Sequence, residues 1–152
     1  CYAMKNNYIR YPAIKAAQYR RLDAITHPQW VEAMVAQIKR QKWFRWHDAG
    51  DLQSSEHMQK IIEVCKLTPD TKHWLPTQER QYLPKPEDVP ENLIIRLSAA
   101  KVDGTAGNAW SHSSTVVTDG APSCRAPDQG GKCLDCRACW DKDVKNVSYG
   151  KH

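Results

Sequence analysis

Cysteines crowd the C-terminal part of this 152-residue sequence and are the residues best suited to carry chemistry. The cluster consists of Cys124, Cys133, Cys136 and Cys139. The last three form a C-x-x-C-x-x-C run, which lets one tight loop point three thiolates inward while its backbone N–H groups face the sulfur atoms. A cubane iron–sulfur cluster takes this arrangement, with three ligands from a local loop and one from elsewhere. Gly130 and Gly131 give the preceding segment the backbone freedom to fold around such a centre.

Two cysteines compete for the fourth ligand position of the predicted cluster. Cys124 is the local candidate and Cys1 is the distant one. Cys65 is set aside, because it continues an apolar helical face and is better explained as a buried thiol. That face repeats at i, i+3, i+4 and i+7 and consists of Met58, Ile61, Ile62 and Cys65.

Zinc is the main alternative to an iron–sulfur cluster at these cysteines. It takes four thiolates at about 2.3 Å, usually from two separated C-x-x-C pairs, so a single C-x-x-C-x-x-C run suits it less well. Disulfides are the purely structural alternative, but cysteines spaced so closely make poor staples. We therefore predict a [4Fe–4S] cluster first, zinc second, and disulfides or free thiols third.

Polar residues at the ends of predicted strands form a second candidate site. In parallel α/β folds, ligands collect where the strands end. His47 and Asp48 are candidates for an acid–base or substrate-orienting pair. The candidates for cofactor binding are Asp51, Thr77, Arg80 and Ser98. Ordinary turn chemistry explains the Asp-Ala-Gly-Asp stretch equally well, and Asp51 suits a helix cap. For Thr77, Arg80 and Ser98 we favour the structural explanation.

The hydrophobic periodicity predicts an α/β fold. Helices are expected over residues 10–25, from a Thr26–Gln29 capping box to about Lys42, and from Ser54 or Ser55 until Pro69 stops the helix. Strands are expected over residues 43–46, 73–75, 93–97 and 115–117. This order favours a small, mostly parallel sheet with right-handed crossovers. The chain is too short for a full eight-stranded barrel, so half of such a barrel or a small open sheet is expected.

The predicted architecture is one domain in two parts. Residues 1–120 form the α/β core, and residues 121–152 form an irregular, cysteine-rich segment packed on it. Hydrophobic residues make up 41% of the chain and no apolar run is long enough to span a bilayer. The net charge of +5 is modest for a dedicated nucleic-acid binder. The first prediction is an iron–sulfur protein that acts on a small molecule or a host partner. The alternative is a zinc-stapled module that binds nucleic acid or protein.

Several motifs together resemble the bacteriophage gene product 88 family. They are Cys1-Tyr2-Ala3-Met4-Lys5, the FRWHDAGDL stretch over residues 44–52, His73-Trp74-Leu75-Pro76-Thr77, and the CLDCRACW stretch over residues 133–140. The resemblance covers nearly the whole chain and implies a phage-encoded, cytoplasmic protein. The family in turn is similar to radical-SAM-like partial barrels with an iron–sulfur centre. Radical-SAM enzymes carry three cysteines in an N-terminal C-x-x-x-C-x-x-C loop, of which this sequence shows Cys1 alone. The C-terminal run then corresponds to an auxiliary type of cluster, at which SAM cleavage is not expected if the protein ligates every iron.

Overall fold

Five parallel strands form the centre of the computed structural model, which describes residues 10–151. They lie side by side in chain order: β1 (Trp43–Arg45), β2 (Lys72–Thr77), β3 (Leu93–Ser98), β4 (Ser113–Val117) and β5 (Asn146–Gly150). The α-helices of the described range are α1 (Pro12–Ala24), α2 (Trp30–Ile38) and α3 (Ser55–Leu67). The sheet curves into half a barrel flanked by these helices, which confirms the predicted fold class.

One face of the sheet packs against α2 and α3 and holds the main core. Side chains alternate along a strand, so Leu75 of β2 and Leu93 and Ile95 of β3 all point to this face. The helices and loops contribute Ile38, Trp46, Leu52, Met58, Ile61, Ile62, Val64 and Cys65 to the same cluster. Fully burying a side chain of this size stabilises the fold by about 1.5–3 kcal/mol. This face therefore holds the helices on the sheet.

The helix boundaries correct one prediction and confirm another. Thr26 does not begin a capping box, because its hydroxyl donates to the carbonyl of Asp23 at 2.9 Å and so completes the end of α1. The following helix starts later, at Trp30, and its N-cap residue Gln29 makes no side-chain capping bond. Ser54 caps α3 as predicted, since its hydroxyl accepts from the backbone N–H of His57.

The first helix, α1, matches the predicted helix but contains no buried residue. Tyr11, just before it, is 48% exposed and Leu22 is 44% exposed. The apolar residues that fall on one side of α1 therefore contribute little to the core. No helix among residues 10–151 has the length and apolar character needed to cross a bilayer.

The C-terminal segment contains a strand that the sequence did not predict. β5 pairs in parallel with β4 along its whole length, from Ser113 opposite Asn146 to Val117 opposite Gly150. Val147 is buried, Asn146 is exposed, and the other residues of this strand are half-buried. Residues 121–145, which we call the cysteine segment, otherwise form turns and two short 3₁₀ helices.

The cysteine segment covers the second, concave face of the sheet. The register places Arg45, Trp74 and Ile94 side by side on this face, and Arg96 lies two residues beyond Ile94 on the same strand. Trp140 of the segment donates its indole N–H to the carbonyl of Phe44 at 3.0 Å. Its ring also meets that of Trp74 edge-on, with ring centroids 5.2 Å apart. The cysteines are therefore held against the sheet and not on a free tail.

Candidate metal centre

The cysteines of the predicted C-terminal cluster all line one small cavity between the cysteine segment and β5. These residues are Cys124, Cys133, Cys136 and Cys139, and Trp140 and Val147 complete part of the wall. The cavity has a volume of about 20 Å³, which is roughly the space of one water molecule. Cys133 and Cys136 lie at the surface, while Cys124 and Cys139 are half-buried.

Pairing with β5 brings Cys124 to this cavity. Its backbone N–H donates to the carbonyl of Ser148 at 2.9 Å. Next to it, the N–H of Ser123 donates to the Ser148 hydroxyl, and the N–H of Ser148 donates back to the Ser123 hydroxyl, both at 2.8 Å. The residues around Cys124 therefore follow the outer edge of β5. A strand so near the end of the chain is what places the local candidate beside the C-x-x-C-x-x-C run.

Left-handed backbone positions shape the loop before and within the run. Gly130 and Gly131 have φ angles of 64° and 77°, a region in which glycine is favoured. Leu134 has a φ of 48° although it is not glycine, and its side chain is 60% exposed. The N–H of Cys136 closes the turn by donating to the carbonyl of Cys133 at 2.9 Å. The expected freedom of the two glycines is thus used immediately before the first cysteine of the run.

Arg96 fastens the last cysteine of the run to the centre of the sheet. Its side chain is fully buried, and its Nε donates to the carbonyl of Cys139 at 3.0 Å. Its Nη2 donates at 2.8 Å to the carbonyls of both Ala138 and Asp141. One guanidinium therefore binds three backbone carbonyls of the turn that contains Cys139. These partners are neutral carbonyls. Burial lowers the pKa of Arg96, while Cys139, Tyr149 and the carboxylate of Asp141 oppose that shift through space.

The electrostatics around Cys139 reflect burial and two polar neighbours. Burial raises the pKa of the Cys139 thiol, while the Tyr149 hydroxyl and the Arg96 charge act in the opposite direction. The Tyr149 hydroxyl lies 3.3 Å from the Cys139 sulfur. Burial also raises the pKa of Tyr149, and the neighbouring Cys139 raises it further. Tyr149 therefore stays protonated and can donate a hydrogen bond to a thiolate at Cys139.

The described residues do not form a finished metal-binding geometry. Within residues 10–151, no group of three or more His, Cys, Asp or Glu side chains is placed as a ligand set. Cys1, the distant candidate for the fourth ligand, lies outside the described residues. Cys65 is fully buried in the main core, and burial raises the pKa of its thiol to about 12. Cys124 is therefore the candidate fourth ligand that the structure places beside the run.

Asp51 and Thr77, two of the strand-end residues, hold two loops together. One carboxylate oxygen of Asp51 accepts from the Thr77 hydroxyl, and the other accepts from the backbone N–H of Gln78 at 2.8 Å. Asp51 also accepts from the N–H of Leu52 at 2.8 Å. These contacts join the loop after β1 to the end of β2. They give Asp51 and Thr77 a structural part. The helix cap predicted for Asp51 is wrong, however, because Ser54 caps α3.

Arg80 and Ser98 also bond within the protein. Arg80 donates from Nη2 to the carbonyl of Ala106 at 2.6 Å, which ties the loop after β2 to the loop after β3. The hydroxyl of Ser98 lies 3.0 Å from the hydroxyl of Ser114 in the neighbouring strand. Both contacts match the structural explanation that the sequence favoured for these residues.

His47 differs from the other strand-end residues. Its φ of 54° is unusual for a residue with a side chain, and both ring nitrogens are buried without a hydrogen bond of standard geometry. Burial lowers the pKa of His47, although Asp51 and the carbonyl of Pro76 oppose the shift. The ring of His57 lies 5.5 Å away, centroid to centroid. Asp48, its predicted partner, is exposed. His47 is thus a half-buried residue just after the end of β1, with buried ring nitrogens and a pKa shift that favours the neutral imidazole.

Sequence reasoning missed how much Arg96, Tyr149 and Trp140 contribute to the cysteine cavity. A signal was present for Arg96, because a charged residue interrupts the apolar strand β3 and a buried arginine needs several acceptors. The signal for Tyr149 was the alternation of Val147 and Tyr149 in the last strand. Trp140 directly follows Cys139, but nothing in the sequence marked it as a bridge to the carbonyl of β1.

The fold and the site together define an α/β half-barrel protein that carries four cysteines on its concave sheet face. The family model of Gene product 88 matches residues 1–142, and the chain belongs to this family, which confirms the resemblance seen in the sequence. No curated protein and no solved structure shows a significant match.

Proposed function

We propose that this protein holds an iron–sulfur cluster of the [4Fe–4S] type and uses it for redox chemistry or substrate activation. The proposed ligands are Cys133, Cys136 and Cys139, with Cys124 as the fourth. The observation that carries the proposal is that these four thiols share one cavity, and that the buried Arg96 cation binds the carbonyl of Cys139 beside it. The reducing cytoplasm of a phage-infected host is the compartment in which such thiols stay free of disulfides.

The chemistry of the donor set fits this proposal. A buried guanidinium is costly unless negative charge lies near it. Asp141 supplies part of that charge, and four thiolates around a metal centre would add to it. Arg96 holds the carbonyls of the turn at Cys139, so the sulfur is presented from a fixed backbone. The Tyr149 hydroxyl lies 3.3 Å from the same sulfur and would donate to it once it is a thiolate, an outer contact of the kind that tunes metal–thiolate centres. When bound, an iron–sulfur cluster supplies one-electron transfer.

We further propose that a substrate binds at the carboxyl ends of the strands, and that His47 carries a proton there. Burial lowers its pKa and so favours the neutral imidazole, which is the form that can accept a proton. Asp48 follows it in the sequence and is exposed at the same rim. If the cluster instead has a structural part in a phage–host interaction protein, His47→Ala and Asp48→Ala will leave function intact.

Zinc at the same cysteines is the second candidate, and the size of the cavity favours it. A volume of about 20 Å³ is nearer to one ion or water than to a cubane, so a cluster needs the loop to move outward. The exposure of Cys133 and Cys136 leaves room for such movement. In this alternative the protein is a zinc-stapled binding module. Residues 10–42 carry seven basic and two acidic residues, which concentrates positive charge on one part of the chain. A nucleic-acid partner would then bind less tightly as salt rises.

Metal and sulfide analysis of anaerobically purified protein tests the proposal. We expect a brown protein with roughly four iron and four sulfide per chain, and absorption that bleaches on reduction. Cys136→Ser should lower the iron content sharply, while the matched control Cys65→Ala, a thiol buried elsewhere, should keep it. A colourless protein with one zinc and no sulfide would replace the cluster by zinc, and chelation should then unfold it. Protein that is purified without bound metal and cannot take up iron or zinc would rule out both the cluster and the zinc site.

A further inference from the structure

A second and larger cavity lies at the opposite edge of the sheet from the strand-end residues. Its volume is about 340 Å³, which falls in the range of small-molecule sites, about 300–1,000 Å³. Trp43, Lys72 and Leu93 line it and are the first residues of β1, β2 and β3. Because these strands are parallel, their first residues meet at one edge of the sheet, and the cavity lies there.

Two indole rings form walls of this cavity. The rings of Trp43 and Trp140 have centroids 5.8 Å apart and planes inclined at 66°. Both residues are only partly buried, and both border the cavity. Indole surfaces gain from stacking and from edge contacts with another aromatic ring. The walls therefore suit a flat aromatic group.

The charged side chains around the cavity carry an excess of positive charge. The cationic ones are Lys72, Arg137 and Lys142, and the acidic ones are Glu91 and Asp141. Lys142 pairs with Glu91 at 2.8 Å, but these side chains are 43% and 93% exposed, so the pair is easily exchanged. The Arg137 guanidinium lies 5.4 Å from the Trp43 ring centroid, and the ammonium of Lys42 lies 6.0 Å from it. An anionic group attached to the flat ring would be attracted here.

The floor of the cavity is fixed before any ligand arrives. The side-chain amide of Asn92 donates to the carbonyls of Cys65, Thr68 and Thr71 at 2.9–3.0 Å. Leu93 and Ile94 follow it in β3 and are buried. A site with a rigid floor loses less entropy on binding than one that must be ordered.

We propose that this cavity binds a nucleotide, a ligand that joins a flat aromatic base to a phosphate. The indoles of Trp43 and Trp140 would contact the base, and Lys72 with Arg137 would face the phosphate. Trp140 also lines the cysteine cavity, so the two sites share a wall. Metal binding is therefore expected to change nucleotide affinity; this coupling rests on the proposed function, whereas the binding itself does not.

Isothermal titration with AMP, adenosine and inorganic phosphate tests the proposal in metal-free and metal-loaded protein. We expect saturable binding of AMP that is tighter than that of adenosine or phosphate alone. Trp43→Leu should weaken AMP binding by about fivefold or more, since stacking on an aromatic side chain is worth at least that much per base. Lys72→Ala should weaken it by about threefold and flatten its salt dependence.

Two control variants separate the cavity from the general surface. Lys66→Ala removes an exposed lysine from α3, and Tyr19→Leu removes an exposed aromatic ring from α1. Neither should change AMP affinity. If circular dichroism shows that Trp43→Leu is not folded, Lys72→Ala still tests the site, because Lys72 is exposed. Undetectable AMP binding, equal affinity for AMP and either fragment, or wild-type affinity in both cavity variants would overturn the proposal. AMP binding by a protein that takes up no metal would support the nucleotide site and reject the metal centre.

Discussion

Replacing Arg96 by methionine should loosen the cysteine segment and destabilise the protein. Methionine keeps much of the length of the side chain but removes the charge and all the donors. The carbonyls of Ala138, Cys139 and Asp141 then lose bonds of 2.8–3.0 Å. Hydrogen bonds from charged donors are each worth about 1.5–3 kcal/mol. The desolvation cost of the guanidinium, several kcal/mol, disappears at the same time. We expect a net loss of about 2–4 kcal/mol in the free energy of unfolding.

Urea unfolding followed by fluorescence, with metal content measured in parallel, checks this prediction. The matched control is Arg45→Met, which removes an arginine from the same sheet face where the side chain is exposed and lies over the ring of Trp74. It should cost less than about 1 kcal/mol. The loss for Arg96→Lys should lie between those of Arg96→Met and Arg45→Met, because one ammonium does not reach all three carbonyls. An Arg96→Met variant as stable as the parent, with its metal retained, would refute the reasoning that this arginine fastens the site.

Three further predictions concern the buried histidines, Asp51 and the accessibility of the thiols. Burial lowers the pKa of His57 and His73 to about 4, so the unfolded chain protonates first as pH falls below about 6.5. The free energy of unfolding should therefore have its full value above about pH 6.5. At pH 5 it should be lower by about 2 kcal/mol per histidine, which is measured as a lower urea midpoint. Asp51→Ala should cost about 2–4 kcal/mol in the same assay, because three donors lose their acceptor. A thiol reagent should label Cys133 in native, metal-free protein but reach Cys65 only after unfolding.

Each of these predictions has a variant or result that decides it. His57→Gln should reduce the pH dependence, and a urea midpoint that stays constant from pH 7.5 to pH 5 would contradict the histidine argument. Asp119→Ala, at an exposed carboxylate, should leave stability within about 0.5 kcal/mol. Labelling of Cys65 at the rate of the surface thiols would show that the core opens readily.

Local patterns predicted the fold well where one residue type decides the outcome. Ser54 begins α3 because its hydroxyl accepts from the first turn, and this can be read from neighbouring residues. The run Leu93–Leu97 is apolar except for Arg96, which is typical of a buried strand or a buried helix segment, and its branched side chains favour the strand. The Thr26 capping box failed because the same hydroxyl can serve the end of one helix or the start of the next. The choice depends on where α1 stops, which propensity alone does not fix.

The candidate site was less predictable, because its parts meet through long-range contacts. The C-x-x-C-x-x-C run is local and was visible at once. Arg96 meets it across 43 residues, and Trp140 meets β1 across 96 residues. The spacing of residues in the chain carries no information about such pairs. β5 was missed for a similar reason, since a five-residue edge strand needs its partner β4 to define it.

The charge of Arg96 links the fold to the proposed chemistry. A structural clamp on three neutral carbonyls could be built from a neutral amide at lower desolvation cost, as Asn92 does for the carbonyls of Cys65, Thr68 and Thr71. The fold thus contains one neutral side chain, Asn92, and one charged side chain, Arg96, that each bind three carbonyls. The charged one lies beside the thiols. A fixed positive charge there stabilises the ionised form of the thiols, which metal ligation requires. The comparison predicts that Arg96→Gln will lose metal affinity more than it loses stability. Measured together, the two effects would separate an arginine that balances a thiolate centre from one that only fastens a loop.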